Sequence, residues 1–385
     1  MTFQPGVKPR VCFVVSSPLT VHAFLTRHVR ALGEHYDVHL AANARPEEID
    51  HPDLRDATLH HVPIRREISP LADTAALVRL IGIFRRGRYA AVHSQTPKAG
   101  LLTAFAARAA RVPVRIHTFT GQVWATQRGA GRALLKTLDR AMVRLDTHVL
   151  VDSASQRDFL QRERVLTHGQ GVVLGSGSVS GVDTERFRPD ASARNAVRAE
   201  LAIPPEATLF LFVGRLARDK GVLELAQAFA DVAAVRSDAY LLLVGPDEER
   251  LTAEIGAACA MHSGRLRFVG KSPVPERYMA AADVFCLPSH REGFGSVVIE
   301  AAAAGLPAIG SRIYGLTDAI EDGVTGLLTP SGDVHELAVA MKRIADDPAL
   351  RSTLAGAARA RALTDFSAAA LSAALVDFYR RTVPT

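Results

Sequence analysis

Ten short runs in this sequence are apolar at consecutive positions rather than alternate ones, and that pattern constrains the fold more than any other feature. They are VCFVVSS (11–17), DVHLAA (37–42), AAVHSQ (90–95), VRIHTF (114–119) and THVLVDS (147–153) in the first half. The second half holds LFLFVGRL (209–216), AYLLLVGP (239–246), LRFVGK (266–271), DVFCLPS (283–289) and LPAIGS (306–311). A strand rich in Val, Ile, Leu and Phe on both faces is covered on both sides of its sheet. Helix-length segments separate the runs, and strand–helix alternation of this kind gives doubly wound parallel sheets. Two such series predict two Rossmann-like α/β domains, a division that 385 residues accommodate. The break falls in GVVLGSGSVSGVDTERFRPDASARN, dense in Gly and Ser and then carrying Pro189, with a helix resuming near Arg194. The expected boundaries are 1–185 for the first domain and 186–366 for the second. The segment 367–385 holds a last helix, SAAALSAALVDFYRR, expected to pack back on the first domain. A ligand is expected in a cleft that the two domains face, at the carboxyl ends of their strands.

Several function classes are disfavoured on the same page. The three cysteines, Cys12, Cys259 and Cys286, are scattered in apolar stretches without metal or disulfide spacing. None of the histidines forms an HxxxH pair on an expected helix, and the rings of His60 and His61 point opposite ways on a strand, so no metal site is expected. The amino-terminal MTFQPGVKPR is no secretory signal, and no apolar stretch reaches the roughly 18 residues of a spanning helix. A cytoplasmic location is expected. The first strand leads into SSPLTVHAF instead of GxGxxG, which counts against a nicotinamide enzyme. Ser17 and His22 in that turn, and Lys98 after the third run, are candidates on the cleft side of the first domain. Residues 1–185 carry 24 Lys/Arg against 16 Asp/Glu, a net +8; the remainder carries 22 against 24, a net −2. The basic half should attract an anionic partner, a lipid head group, a phosphate or nucleic acid. No basic–aromatic module supports nucleic acid.

Two segments carry chemistry. GRLARDKG (214–221) follows a strand directly; Gly214 permits a sharp turn, and Arg215 and Lys220 place two cations at the strand end, fit to neutralise a diphosphate without a metal. In SHREGFGSVVIEAAAAGLP, Glu292 lies in a loop, Gly293-Phe294-Gly295 forms a turn, and a helix is predicted from Ser296 to Gly305. Free N–H groups at that helix start hold phosphate oxygens. Glu300 lies a little over one turn inside the helix, and carboxylates accept from sugar and ribose hydroxyls. An apolar helix would bury Glu300 at considerable cost without such a role.

GRLARDKG, VGPDEE, FVGKSPVPERYMAAADVFCLPSHREGFGSVVIEAAAAGLPAIGS and DGVTGLL, in that order, resemble the retaining glycosyltransferases of family 4, which have the two-domain GT-B fold. The resemblance implies that Glu292 contacts the donor sugar and Glu300 the ribose hydroxyls. Arg215 and Lys220 would hold the diphosphate, the amides of Gly293 to Gly295 would line the sugar-phosphate site, and Val269, Gly270 and Lys271 would lie beside the base. HSQTPKAGLLTAFAAR, RIHTFTGQVWATQRG and GSGSVSGVDTERF are similar to bacterial enzymes that extend polyprenyl-diphosphate-linked glycans of O-antigen, capsule and N-glycan assembly.

One departure bears on mechanism. Many family 4 members carry a His where this chain has Thr120, followed by Gly121, after the fourth run; a hydroxyl does not replace imidazole as a proton acceptor. His117, three residues earlier, reads as a packed core histidine. The only tryptophan, Trp124, stacks on a sugar, dips into lipid or fills the core. Arg128, Arg132, Lys136, Arg140 and Arg144 recur every four residues and form a basic stripe, which reads either as a membrane-surface helix or as a solvated face. The expected function is retaining, metal-independent transfer of a hexose or N-acetylhexosamine from a nucleotide-sugar, expected to be UDP-linked, to a polyprenyl-diphosphate-linked saccharide at the inner face of the membrane. No cofactor is expected. A GT-B transferase with a soluble acceptor, a nucleotide-sugar epimerase and a non-catalytic nucleotide-sugar-binding subunit are the alternatives.

Overall fold

The computed structural model describes residues 8–383 apart from 66 and 68. The chain divides into two compact units, Met1–Gly181 with Ala368–Thr385, and Val182–Ser367. The first carries a parallel sheet of β1 (Arg10–Val14), β2 (Asp37–Ala42), β3 (Thr58–His61), β4 (Ala91–Gln95), β5 (Val114–Phe119), β6 (His148–Val151) and β7 (Val172–Val173). Its strand order is β3-β2-β1-β4-β5-β6-β7. The second carries β8 (Thr208–Val213), β9 (Ala239–Val244), β10 (Leu266–Val269), β11 (Val284–Leu287), β12 (Ala308–Ser311) and β13 (Gly326–Thr329), in the order β10-β9-β8-β11-β12-β13.

Each of the ten apolar runs holds one of these strands. The three others lie at sheet edges: β3 is partly exposed, β7 has two residues, and β13 is buried but its GLLT offers only two consecutive large apolar side chains. The two-faced burial is visible in β1: Val11 and Phe13 join one core cluster while Cys12 and Val14 join another across the sheet. Successive side chains point to opposite faces, so only a strand covered on both sides is apolar throughout.

The last helix, Ala368–Thr382, completes the first unit. Leu375, Phe378 and Tyr379 pack with Val11 and Phe13, and burial of such side chains contributes about 1.5–3 kcal/mol each. The hydroxyl of Tyr379 lies 3.0 Å from His93 Nδ1, and Ser372 Oγ lies 3.0 Å from His28 Nδ1. Val182 N donates to Phe366 O at 2.7 Å, so the second unit begins and ends on neighbouring backbone.

Candidate functional site

In each sheet the chain runs outward from a central strand and then returns to that strand's other side. The reversal falls between β1 and β4 in the first unit and between β8 and β11 in the second. Loops leaving the carboxyl ends of two such strands part there, which opens a crevice where ligands bind in open α/β sheets. In the second unit the two loops are Gly214–Gly221 and the segment 288–295, the two segments singled out in the sequence. Gly221 lets them approach: its φ is +68°, and a Cβ there would stand 2.0 Å from the carbonyl oxygen of Pro288.

Lys220 Nζ reaches Glu292 Oε1 at 2.6 Å, and Ser289 Oγ donates to the same oxygen at 2.8 Å. Glu292 Oε2 takes no described donor, so a ligand hydroxyl can use it. Arg215 Nη1 pairs with Glu248 at 2.9 Å, and its Nη2 lies 3.6 Å from Asp219. Burial works against the Arg215 charge, yet its bond to Glu248 and the nearby charges of Asp219, Glu248 and Glu292 hold its pKa above the usual arginine value. Asp219 also accepts from Arg291 at 3.0 Å. Arg215, Lys220 and Glu292 are therefore brought together, with each cation already facing a carboxylate.

The helix that follows spans Ser296–Ala303, starting where the sequence predicts and ending two residues sooner, where Gly305 turns the chain at φ +87°. Its cap, Gly295, has φ +81°, and a Cβ there would meet Leu316 at 2.5 Å. The Phe294 side chain is buried and packs edge-on against Phe366, so it presents no ring to a ligand. Glu300 is half-buried and belongs to a different charge environment from Glu292. Burial pushes its pKa up to about 7; Arg186 opposes the rise and Glu276 adds to it. Val269 is half-buried, Gly270 and Lys271 are exposed, and all three sit at the end of β10 or just after it.

In the first unit, Ser17 caps the helix Pro18–Phe24, accepting from Thr20 N at 3.4 Å. His22 Nε2 lies 2.9 Å from the carbonyl of Glu48, and Lys98 is held by Asp73 at 2.6 Å and by the carbonyl of Glu67. Thr120 is half-buried just past β5, beside Gly121 at φ +107°. His117 is buried, its Nδ1 2.9 Å from Ser94 Oγ, with burial lowering its pKa to about 3, as fits a core histidine.

Two expectations are corrected. Trp124 is 1% exposed and stacks on Phe159, and its Nε1 donates to Asp139 at 2.7 Å; it fills the core and offers no face to sugar or lipid. The basic stripe lies on the helix Gly129–Leu145 but does not face one solvent or lipid surface. Arg132 and Lys136 pair with Glu163 at 2.8 and 2.5 Å, and both lie over the Trp124 ring. Arg140 donates to the carbonyls of Glu163 and Arg164. The physical reason is the carboxyl end of helix Ala154–Arg162, whose orphan carbonyls draw cations. Arg128 and Arg144 remain exposed.

Against known families, the sequence matches "Glycosyl transferases group 1" over residues 193–361 and "Glycosyl transferase 4-like domain" over residues 20–177. The chain belongs to the family 4 glycosyltransferases. This transferase is similar to the capsular polysaccharide biosynthesis glycosyltransferase CapM of Staphylococcus aureus, 28% identical over 83% of this chain and 84% of CapM. It is also similar to the UDP-Gal:alpha-D-GlcNAc-diphosphoundecaprenol alpha-1,3-galactosyltransferase of Escherichia coli, 26% identical over 82% of each chain. Among solved structures, Anabaena HepE in complex with UDP and glucose shares the fold with a TM-score of 0.82, covering 97% of this chain and 100% of HepE at 19% identity.

Residues of the transferase that sequence reasoning did not single out complete the picture. Ser289, Asp219 and Glu248 hold the named site residues and Arg291 holds Asp219; Asp219 and Ser289 lie within four residues of their partners, while Glu248 and Arg291 come from distant segments. His290 bridges Glu224 at 2.9 Å and Ser331 at 3.2 Å. At the reversal point of the first sheet, Thr96 stands at φ +72°, and its hydroxyl donates to Ser16 Oγ at 3.4 Å. A β-branched residue there stores about 1–3 kcal/mol of strain, a mark of functional backbone. Gln95 Oε1, both amide atoms of Gln122 and Asp152 Oδ1 are buried without a described partner at the ends of β4, β5 and β6. Unpaired buried polar atoms of this kind call for a ligand or ordered water.

Proposed function

We propose that this transferase moves a hexose or N-acetylhexosamine from a UDP-sugar, with retention, to a polyprenyl-diphosphate-linked saccharide. The observation that carries the donor half is the contact of Lys220 with Glu292 beside Arg215 at the reversal point of the second sheet. As the glycosidic bond breaks, negative charge grows on the departing diphosphate. Arg215, Lys220 and the free N–H groups at the start of helix Ser296–Ala303 meet that charge and take the part a divalent metal would otherwise play. The diphosphate displaces Glu248 from Arg215 and Glu292 from Lys220, exchanging one carboxylate partner for a phosphate. Glu292 then turns to the sugar hydroxyls through its unshared oxygen, and Glu300 accepts from the ribose.

With Thr120 where imidazole is common, the leaving phosphate oxygen serves as the acceptor's proton acceptor. The lipid-linked acceptor is supported by the name of the Escherichia coli relative, and the Staphylococcus aureus relative's name supports surface polysaccharide assembly. Such an acceptor lies in a membrane, which the enzyme meets from its cytoplasmic face; among the described residues no helix is long and apolar enough to cross one. The test is a donor panel with a polyprenyl-diphosphate-linked sugar, scored for product and anomeric configuration. An inverted product, or turnover only with soluble acceptors, refutes this reading. Activity is expected to survive a chelator, and complete loss refutes the assignment of charge neutralisation to Arg215 and Lys220.

A further inference from the structure

Arg186 lies in the loop before helix Ala191–Glu200 and joins parts of the second unit that are far apart in sequence. Its Nη2 donates to the carbonyl of Pro273 at 2.9 Å and to Glu276 Oε2 at 2.8 Å, and its Nε donates to the same carboxylate oxygen at 3.0 Å. The guanidinium stands 5.1 Å from the ring centre of Phe187, which is buried. One side chain thus fixes the segment 270–274 after β10 and the first turn of helix Pro275–Ala281.

We propose that Arg186 is a positioning residue for the nucleotide half of the donor, holding the segment 270–274 and Glu276 in place around Glu300. This rests on the reading of Glu300 as the ribose contact. A planar guanidinium gripping a carbonyl and a carboxylate together sets an angle between two segments that a point charge does not. Glu276 has a second effect. Helix Pro275–Ala281 packs on helix Ser296–Ala303, the Glu276 charge raises the Glu300 pKa, and Arg186 both pairs with Glu276 at 2.8 Å and acts on Glu300 in the opposite sense. The elements packed against helix Ser296–Ala303 also carry Arg277, Asp318, Arg351, Arg359, Arg361 and Asp365; Arg277 lies 3.7 Å from Glu200 and Arg361 donates to the carbonyls of Asp318 and Ala319, while the charges that act on Glu300 are those of Arg186 and Glu276. Arg186 and Glu276 therefore govern how Glu300 meets a ribose hydroxyl.

An ionised Glu300 accepts two hydroxyl donors, so nucleotide affinity falls as pH drops through its titration. Removing Arg186 leaves Glu276 uncompensated and moves that fall to higher pH. Removing the Glu276 charge moves it to lower pH. The experiment titrates UDP onto wild-type, Arg186→Ala, Arg186→Lys and Glu276→Gln proteins by calorimetry between about pH 5.5 and 8.5, alongside donor KM and kcat. Arg186→Ala is expected to weaken UDP and raise donor KM about tenfold at neutral pH, as for loss of a charge-assisted bond set, with kcat within about threefold. Arg186→Lys is expected to restore the pH midpoint but only part of the affinity, since it keeps the charge and loses the fork. If Arg186→Ala does not fold, Arg186→Lys and Glu276→Gln carry the test. Midpoints that do not move, or that move the same way in the alanine and glutamine variants, overturn the inference while leaving Glu300 as the ribose contact. Wild-type protein that binds no nucleoside diphosphate overturns that reading and the inference with it.

Discussion

Replacing Lys220 by Met and Glu292 by Gln in separate proteins divides the two tasks assigned to their contact. The atoms are 2.6 Å apart, on side chains 17% and 12% exposed. At an effective dielectric constant of about 20, their gross attraction is about 6 kcal/mol. Desolvation and ordering cancel most of it, and a charged hydrogen bond of this kind nets about 1.5–3 kcal/mol. Lys220→Met leaves a half-buried carboxylate held by Ser289 alone, so melting is expected about 4–8 °C lower, the shift for about 2 kcal/mol in a domain near this size. The catalytic loss is larger, because Lys220 faces charge that develops only as the diphosphate leaves. One such group is worth about 10²–10³ in kcat. Glu292→Gln keeps a neutral oxygen for Lys220 and Ser289, so the fold and UDP affinity stay within about threefold of wild type. The sugar loses its anionic acceptor, and kcat falls about 10–100-fold. Calorimetric UDP binding and nucleotide release at saturating donor measure the two effects separately. The reasoning is refuted if Lys220→Met retains kcat within about fivefold, or if Glu292→Gln loses UDP as severely as Lys220→Met.

Other expectations follow from single positions. Gly221→Ala places a Cβ 2.0 Å from the Pro288 carbonyl at a φ of +68°, so the loops after β8 and β11 part; kcat/KM should fall at least tenfold with the second unit still folded by circular dichroism. Burial raises the Asp139 pKa to about 6 from an ordinary 3.8, against the opposing bond from Trp124. The folded protein then holds a proton that the unfolded chain has released, so this group's contribution to stability declines as pH rises from about 4 to 6. Asp139→Asn, which still accepts from Trp124, should therefore raise the melting temperature at pH 8 and leave it nearly unchanged at pH 4; a lower value at pH 8 contradicts this. Cys12, Cys259 and Cys286 are buried with thiol pKa values pushed up, Cys259 to about 11. Mass spectrometry after iodoacetamide at pH 8 should find all three unmodified in native protein and alkylated in denatured protein.

The parallel sheets were legible because each central strand is coated on both faces, and that demand is written in consecutive residues. The edge strand β7 is two residues long and makes no such demand, so it left no trace. The donor segments were legible for a related reason: glycines at Gly214, Gly293 and Gly295 mark sharp turns after strands, and charge beside them marks a ligand. The partners of those charges were not legible. Glu248 and Arg291 meet Arg215 and Asp219 only because β9 and β11 flank β8, a fact of strand order that no local spacing records. The basic stripe failed in the opposite direction. Its four-residue period is real, but the period of a helix says which residues share a face and not what that face meets. Here it meets Glu163 and the carbonyls of a helix end. Trp124 was ambiguous because its sequence context does not reveal that Asp139 waits for its N–H.

The placement of helix Ala368–Thr382 in the first unit also sets an order of events during synthesis. The ribosome releases residues 8–181 first, yet the cluster around Phe13 lacks Leu375, Phe378 and Tyr379 until the last helix arrives, after the entire second unit has been made. The second unit, contiguous and joined at its own ends by Val182 and Phe366, is complete earlier in every round of translation. The half that starts first finishes last. Its interval of exposure is the time taken to translate everything between, and an mRNA that slows over the second unit lengthens the period in which a chaperone must cover the first.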